Sequence, residues 1–267
     1  MIKVVIIGAG GRMGRRLIAN IMESDDLQLV GAIEVPGNPL LGQDAGIVAG
    51  CGANKILMTD DLKAVCVGAD AVINFSTGNV AKDAEIATAA GCASVIGTTA
   101  LDDAEKAKLR ELADNGARIV FAPNMSVGVN LLFHLCGQVS TLLGEDYDIE
   151  IVEMHHNLKK DAPSGTAVRL GEIAAAARGL SYEKDIRHGR EGITGARTKK
   201  EIGMHALRGG DVVGDHTVIY ATGGERLELT HKASSRDTFA KGALRAARFL
   251  ANAKPGLYDM QDVLGLK

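Results

Sequence analysis

The run Glu153-Met154-His155-His156-Asn157-Leu158-Lys159-Lys160-Asp161-Ala162-Pro163-Ser164-Gly165-Thr166-Ala167 packs the groups of one reaction into one segment. Histidine releases or takes a proton near neutral pH, so His155 and His156 are candidate proton donors. Lys159 supplies fixed positive charge or a second proton. Ser164-Gly165-Thr166 opens an expected helix, where the backbone N–H groups of Gly165 and Thr166 can hold a carboxylate at the helix N-terminus. Pro163 helps preset the turn into that helix. The segment suits a small, carboxylate-bearing substrate that must gain a proton. Metal binding fits poorly, because adjacent histidines are not the i,i+4 pair of a zinc helix and no Cys or carboxylate set completes them. A serine hydrolase fits poorly too, since there is no G-x-S-x-G elbow.

A second group stands near the start of the chain, at Gly8-Ala9-Gly10-Gly11-Arg12-Met13-Gly14. G-x-G-x-x-G fails here, because Met13 occupies the third glycine position. G-x-x-G-x-x-G fits through Gly8, Gly11 and Gly14. Glycines after a strand let the backbone approach a pyrophosphate, and the following helix N-terminus offers N–H groups to it. Glu34 lies about 20 residues beyond Gly14, where an acid is expected on the adenosine ribose hydroxyls. A carboxylate there repels the 2′-phosphate of NADP, and Val35 follows instead of a basic residue. Arg12 and Arg15 offset this in part. The expected cofactor is NADH, with NADPH possible.

The elements that must position these groups follow from periodicity. Residues 2–7 form a β-branched run, and Met13, Leu17 and Ile21 mark a helix behind it. Apolar runs at 27–33, 71–75, 94–96 and 118–121 read as further strands. Helices are expected at about 80–90, ending at Gly91, and from a cap at Asp102 or Asp103 to Asn115-Gly116. Strands alternating with helices predict a parallel sheet covered on both faces. After Asn124 the pattern changes. A long apolar helix at 129–143 leads to a strand at 149–152, and the His155 segment follows as a loop. A helix spans about 166–178, stopped by Gly179. Strand-like runs at 205–207, 212–221 and 226–231 lack crossover helices, which predicts an antiparallel or mixed sheet in a second domain. A last helix is expected at about 239–251.

Composition excludes other classes. With 46% hydrophobic and 24% charged residues, the chain reads as a globular protein with a substantial core. A net charge of −3 and the absence of Trp leave neither the basic field nor the aromatic platforms of a nucleic-acid binder. No apolar run approaches the ~20 residues of a membrane span, and the immediate first strand leaves no room for a signal peptide. Cys51, Cys66, Cys92 and Cys136 form no C-x-x-C pair, so neither disulfides nor zinc are expected, and a reducing cytoplasm fits.

E-x-H-H-x-x-K-x-D-A-P-S-G-T-A resembles the signature of the 4-hydroxy-tetrahydrodipicolinate reductase (dihydrodipicolinate reductase) family of the diaminopimelate–lysine route. The likeness spans nearly the whole chain. Gly97-Thr98-Thr99 resembles the family's nicotinamide-side segment, and residues 122–130 its hinge. Arg208-Gly209-Gly210-Asp211 and residues 231–236 resemble segments of its substrate domain. The resemblance implies that His155 donates the proton and that Lys159 is a second donor or a charge clamp. It implies that His156, Gly165 and Thr166 hold the substrate. Gly8, Ala9, Gly10, Gly11, Arg12, Met13, Glu34, Gly97, Thr98, Thr99, Ala122, Pro123, Asn124 and Met125 would line the cofactor. It further implies an α/β fold, with a Rossmann-like doubly wound domain at 1–126 joined by 237–267. Residues 127–236 would form an α+β substrate-binding domain whose mixed sheet builds a homotetramer. The chain departs from the family pattern at Ala100, often Gly, where a positive φ would strain Ala by roughly 1 kcal/mol. It departs again at Val35, often a basic residue. Two alternatives stay open at this point. One is a two-domain dehydrogenase of another small acid, and the other a non-catalytic regulator that senses NADH.

Overall fold

The computed structural model describes residues 1–99 and 101–267, so the expectation for Ala100 lies outside the described residues. The chain divides into two compact units, Met1–Val127 with Arg236–Lys267, and Gly128–Ser235.

The first unit alternates strands and helices: β1 (Ile2–Ile7), α1 (Arg12–Met22), β2 (Leu27–Ile33), α2 (Ala45–Ala49), β3 (Met58–Thr59), α3 (Leu62–Cys66), β4 (Ala71–Asn74), α4 (Val80–Ala89), β5 (Ala93–Ile96), α5 (Asp103–Asp114) and β6 (Arg118–Phe121). The helix ends behave as their residues dictate. Asp102 caps α5 by accepting from the Glu105 N–H, and Gly91 follows α4 with φ +82°. The strands are short, and β4 and β5 are buried at every position, as strands covered on both faces must be.

The second unit contains most of α6 (Val127–Leu143), then β7 (Asp148–His155), α7 (Gly165–Ala177), α8 (Tyr182–Asp185), β8 (Ile186–His188), β9 (Ile202–Arg208), β10 (Gly214–Thr222) and β11 (Glu225–Ala233). The chain then returns to the first unit with α9 (Asp237–Asn252), β12 (Gly256–Tyr258) and α10 (Met260–Leu264).

The first sheet has the order β12-β6-β5-β4-β1-β2-β3, with every pairing parallel. The chain winds outward from β1 to β3, then restarts at β4 on the other side of β1. The loops after β1 and β4 therefore part at a switch point, the crevice where such sheets bind nucleotides. The second sheet is mixed, β11-β10-β7-β9-β8, with β7 antiparallel to β10 and parallel to β9. One face of it buries Ile149, Ile151, Met204, Val218 and Tyr220 against α6 and α7. The fold is thus α/β, a Rossmann-like parallel sheet plus a mixed-sheet unit.

Two expectations are corrected. The strand before the histidines does not end at residue 152 but runs through His155, held by ladders on both sides. A span-length apolar helical stretch also exists: α6 runs on into a 3₁₀ turn at Gly144–Asp146, so Val127–Asp146 is 20 residues long and, by length and composition, apolar enough to cross a membrane. It seats Leu132 and Cys136 in the core of the second unit, where the apolar stripe meets the sheet. The elements α2, α3, β3, β8, α8, β12 and α10 were not expected from periodicity; none exceeds five residues.

Candidate active site

In the first unit, the residues singled out in the sequence gather at the C-terminal ends of the parallel strands. Gly8 takes φ +75°, and its Cα faces Ser76 after β4: a Cβ there would lie 3.3 Å from the Ser76 Cβ. The N–H of Gly11 donates to the Gly8 carbonyl (3.0 Å), closing the turn before α1. Gly14 is the tightest position. A Cβ on it would come within 2.2 Å of the Gly8 oxygen and 2.6 Å of the Ala9 Cα, so only glycine lets α1 start this close to the loop. Arg12 is exposed and Met13 half-buried.

Glu34 stands at the end of β2, where its Oε1 accepts from the Gly10 N–H (2.8 Å) and its Oε2 from Asn38 Nδ2 (3.0 Å). The acid expected on a ribose thus also shapes the glycine loop. Gly97 donates to the Asn74 carbonyl and packs on the Phe75 ring, which a Cβ would meet at 2.3 Å. Thr98 Oγ1 donates to the Ser76 carbonyl (2.8 Å), and Thr99 is exposed. Ala122 and Met125 are buried, Pro123 is exposed, and Asn124 Oδ1 accepts from the Ser126 N–H (2.9 Å). A glycine cradle, a helix start and an acid on the second strand fit a dinucleotide.

The second unit builds its site on β7, whose alternation puts Ile149, Ile151, Glu153 and His155 on one face. Glu153 is fully buried yet carries a carboxylate, and four donors converge on it. Arg208 Nη1 and Nη2 reach it at 2.8 and 2.9 Å, the Ser164 N–H at 3.0 Å, and His155 Nδ1 at 2.6 Å. Burial pushes the Glu153 carboxyl up, but Arg208, His155 and the Ser164 amide outweigh it and hold the group below the usual carboxylate range. Burial lowers His155 most. Glu153 pulls it back up, while Lys159 and Arg208 push it down, leaving it below the ordinary imidazole value.

Lys159 Nζ donates to both Asp161 oxygens (2.9 and 2.8 Å) and is only one-fifth exposed. The His156 N–H donates to the Val212 carbonyl, and its buried Nδ1 has no hydrogen-bond partner among the described residues. Ser164 is the N-cap of α7, its Oγ accepting from the Ala167 N–H (3.2 Å). Pro163, joined to Ala162 by a cis peptide bond, precedes that cap. Gly165 opens the helix facing free space, with nothing within 4 Å of where a Cβ would sit.

The same Ser164 Oγ lies 2.9 Å from Nε2 of His216, a buried ring packed edge-on to His155 at 5.2 Å. Burial first, then His155, pushes His216 down to about 3, so it is neutral. Ser164→Ala is expected to cost about 1 kcal/mol for the lost cap. Leaving His216 Nε2 without its partner adds roughly 1–3 kcal/mol. Denaturant unfolding reads the total, and an unchanged midpoint would mean that neither bond counts.

Glu153, Asp161, Arg208, His216 and Gly214 were given no chemical role by sequence spacing. Of these only Glu153 carried a local signal: it stands two residues before His155, the spacing that shares a strand face.

Comparison with known proteins agrees with this architecture. A family model described as dihydrodipicolinate reductase, N-terminus, matches residues 2–125, and one described as dihydrodipicolinate reductase, C-terminus, matches residues 128–264. The 4-hydroxy-tetrahydrodipicolinate reductases of Geotalea daltonii and Syntrophotalea carbinolica are each 52% identical to this chain, covering 100% of both sequences. The fold resembles the solved structure of dipicolinate-bound dihydrodipicolinate reductase from Paenisporosarcina sp. TG-14, with a TM-score of 0.76 over 98% of each chain at 23% identity. Both halves of one family's pattern thus lie in order along the sequence, and the chain belongs to the dihydrodipicolinate reductase family.

Proposed function

We propose that this chain reduces 4-hydroxy-tetrahydrodipicolinate (dihydrodipicolinate) to tetrahydrodipicolinate in the diaminopimelate route of lysine biosynthesis, in the cytoplasm. The observation that carries this reading is the second unit's site: a histidine with a carboxylate behind it, a lysine, and the open helix start at Gly165, all on one strand and the turn that follows it.

A pyridine dinucleotide, when bound, supplies the hydride. Gly8 to Met13, Glu34, Gly97 to Thr99 and Ala122 to Met125 hold it. Gly165 and Thr166 bind a substrate carboxylate through the helix start, with His156 beside them. Lys159 offers its charge to the dianion, exchanging Asp161 for a substrate carboxylate. His155 gives a proton to the ring carbon beside the one that accepts hydride. The mixed sheet has one face covered by α6 and α7; the other packs against further copies in a homotetramer.

NADH is the preferred cofactor. The Glu34 carboxylate sits beside Gly10 with exposed Val35 next to it, which disfavours a 2′-phosphate. Arg15, one of the two bases near enough to compensate, donates its Nε–H to the Gly10 carbonyl at 2.8 Å. A coupled assay tests both statements. The upstream synthase makes the substrate from pyruvate and aspartate semialdehyde, and oxidation of NADH and NADPH is followed. Rapid, synthase-dependent oxidation is expected, with the higher kcat/KM for NADH. No oxidation with either cofactor overturns the activity, and equal or better efficiency with NADPH overturns the preference.

A further inference from the structure

Glu153 has no assigned part in the chemistry, yet four donors converge on its carboxylate away from water. It is fully buried, so its charge is retained only because donors surround it. Those donors come from three places: Arg208 at the end of β9, the Ser164 N–H at the start of α7, and His155 two residues along β7. The strand register explains the convergence. Arg208 pairs with His155 across β9, and His216 pairs with Glu153 across β10.

A carboxylate that stays ionised has no hydrogen to give. The 2.6 Å contact with His155 therefore requires the hydrogen to sit on Nδ1. The opposite nitrogen, Nε2, faces the space at Gly214, where a Cβ would stand 3.0 Å from it and 3.6 Å from His216 Cε1. The backbone of Gly214 is not in the left-handed region, so the absence of a side chain there matters for space rather than for conformation.

We propose that Glu153 is a positioning residue for the proton donor: its carboxylate fixes Nδ1–H of His155, so that Nε2 is the nitrogen that delivers the proton, and Gly214 keeps the approach to Nε2 clear. This rests on the reductase reading given above. The proton balance is simple. Protonated His155 carries hydrogen on both nitrogens. Loss of the Nε2 proton to the substrate carbon leaves neutral imidazole with Nδ1–H, the form that Glu153 already binds. Arg208 keeps Glu153 ionised, so the remaining proton stays on the ring. The arrangement parallels the outer carboxylates that orient ligating or catalytic histidines elsewhere. The charged groups facing His155 are Glu153 on its own strand, Arg208 on β9 and Lys159 in the following turn; the titratable ring of His216 on β10, also facing it, is neutral.

The test compares the full-length wild type with Glu153→Gln and Glu153→Asp. An amide offers one acceptor oxygen and a donor NH2 group where four donors converge, so Gln cannot satisfy them all. Glu153→Gln is expected to lower kcat about 10–100-fold with KM nearly unchanged. Without the negative charge His155 gives up its proton more easily, so the high-pH limb of kcat moves to lower pH. Glu153→Asp retains the charge and recovers part of that limb shift. Nitrogen NMR of histidine-labelled wild type is expected to show the neutral His155 ring with hydrogen on Nδ1, and Glu153→Gln to lose that preference. A purely structural Glu153 would lower the unfolding temperature and leave the limb and the tautomer where they are. Hydrogen on Nε2 in the wild type, or a folded Glu153→Gln with unchanged kcat and limb, overturns the proposal. The wild-type spectrum decides even if the variants do not fold. It also decides if the coupled assay shows no turnover, which would sink the reductase reading alone.

Discussion

Replacing His155 with Gln is expected to lower kcat by about 10²–10⁴-fold while KM rises far less. Gln matches the length of the ring and can still touch substrate, but it has no proton to give. A loss confined to kcat marks an interaction made only in the transition state. The pH profile supplies a second readout. A donor works when protonated, so kcat/KM falls as pH rises through the His155 pKa. Burial first, then Lys159 and Arg208, outweighs Glu153 and sets that pKa below its ordinary value. The descending limb of kcat/KM should therefore lie on the acid side of ~6.5. In kcat, where the bound dianion favours the charged ring, the limb should move to higher pH. His155→Gln should lack the limb altogether. Steady-state rates across pH check both statements, and a variant with normal kcat would remove His155 from the chemistry.

Gly14→Ala carries the largest expected effect in the first unit. Gly14 has ordinary helical backbone, so alanine brings no conformational strain. The damage is steric: its methyl would sit 2.2 Å from the Gly8 oxygen, 2.6 Å from the Ala9 Cα and 2.7 Å from the Ala9 oxygen. All three are backbone atoms, which cannot rotate away as a side chain would. Helix α1 must shift, and with it the Gly11–Gly8 hydrogen bond that closes the turn. Overpacking of this kind costs about 1–3 kcal/mol or more. Because the shift opens the cradle itself, NADH affinity should fall at least ~10-fold, the equivalent of 1.4 kcal/mol. Denaturant unfolding and titration of NADH fluorescence measure the two effects. Native stability together with native affinity would show that the glycine spacing is incidental.

Particular residues show what periodicity reaches. β1, α1 and β2 follow directly from the β-branched run at 2–7, the Met13–Leu17–Ile21 stripe and the apolar run at 27–33. Each is long enough for its period to repeat. The stretch between Ala45 and Cys66 holds two single-turn helices and a two-residue strand, too short for any period to register. β12 is three residues long and exists because β6 offers it an edge. The strand at 149–152 appeared to end there because Glu153, Met154 and His155 interrupt the apolar pattern. Pairing with β9 and β10 carries it on through His155.

The amino-acid sequence by itself determined the class of fold and the class of chemistry. Both rest on local patterns: strand and helix periods, a glycine loop, and a proton donor next to a helix start. Tertiary structure alone decided which groups control that donor. Arg208 and His216 lie 55 and 63 positions from Glu153, and only the register of β9 and β10 against β7 brings them to its carboxylate and to His155. Alternation along one strand puts Glu153 and His155 on a common face. The charge buried there is stable because chain segments distant in sequence supply the donors that water would otherwise provide.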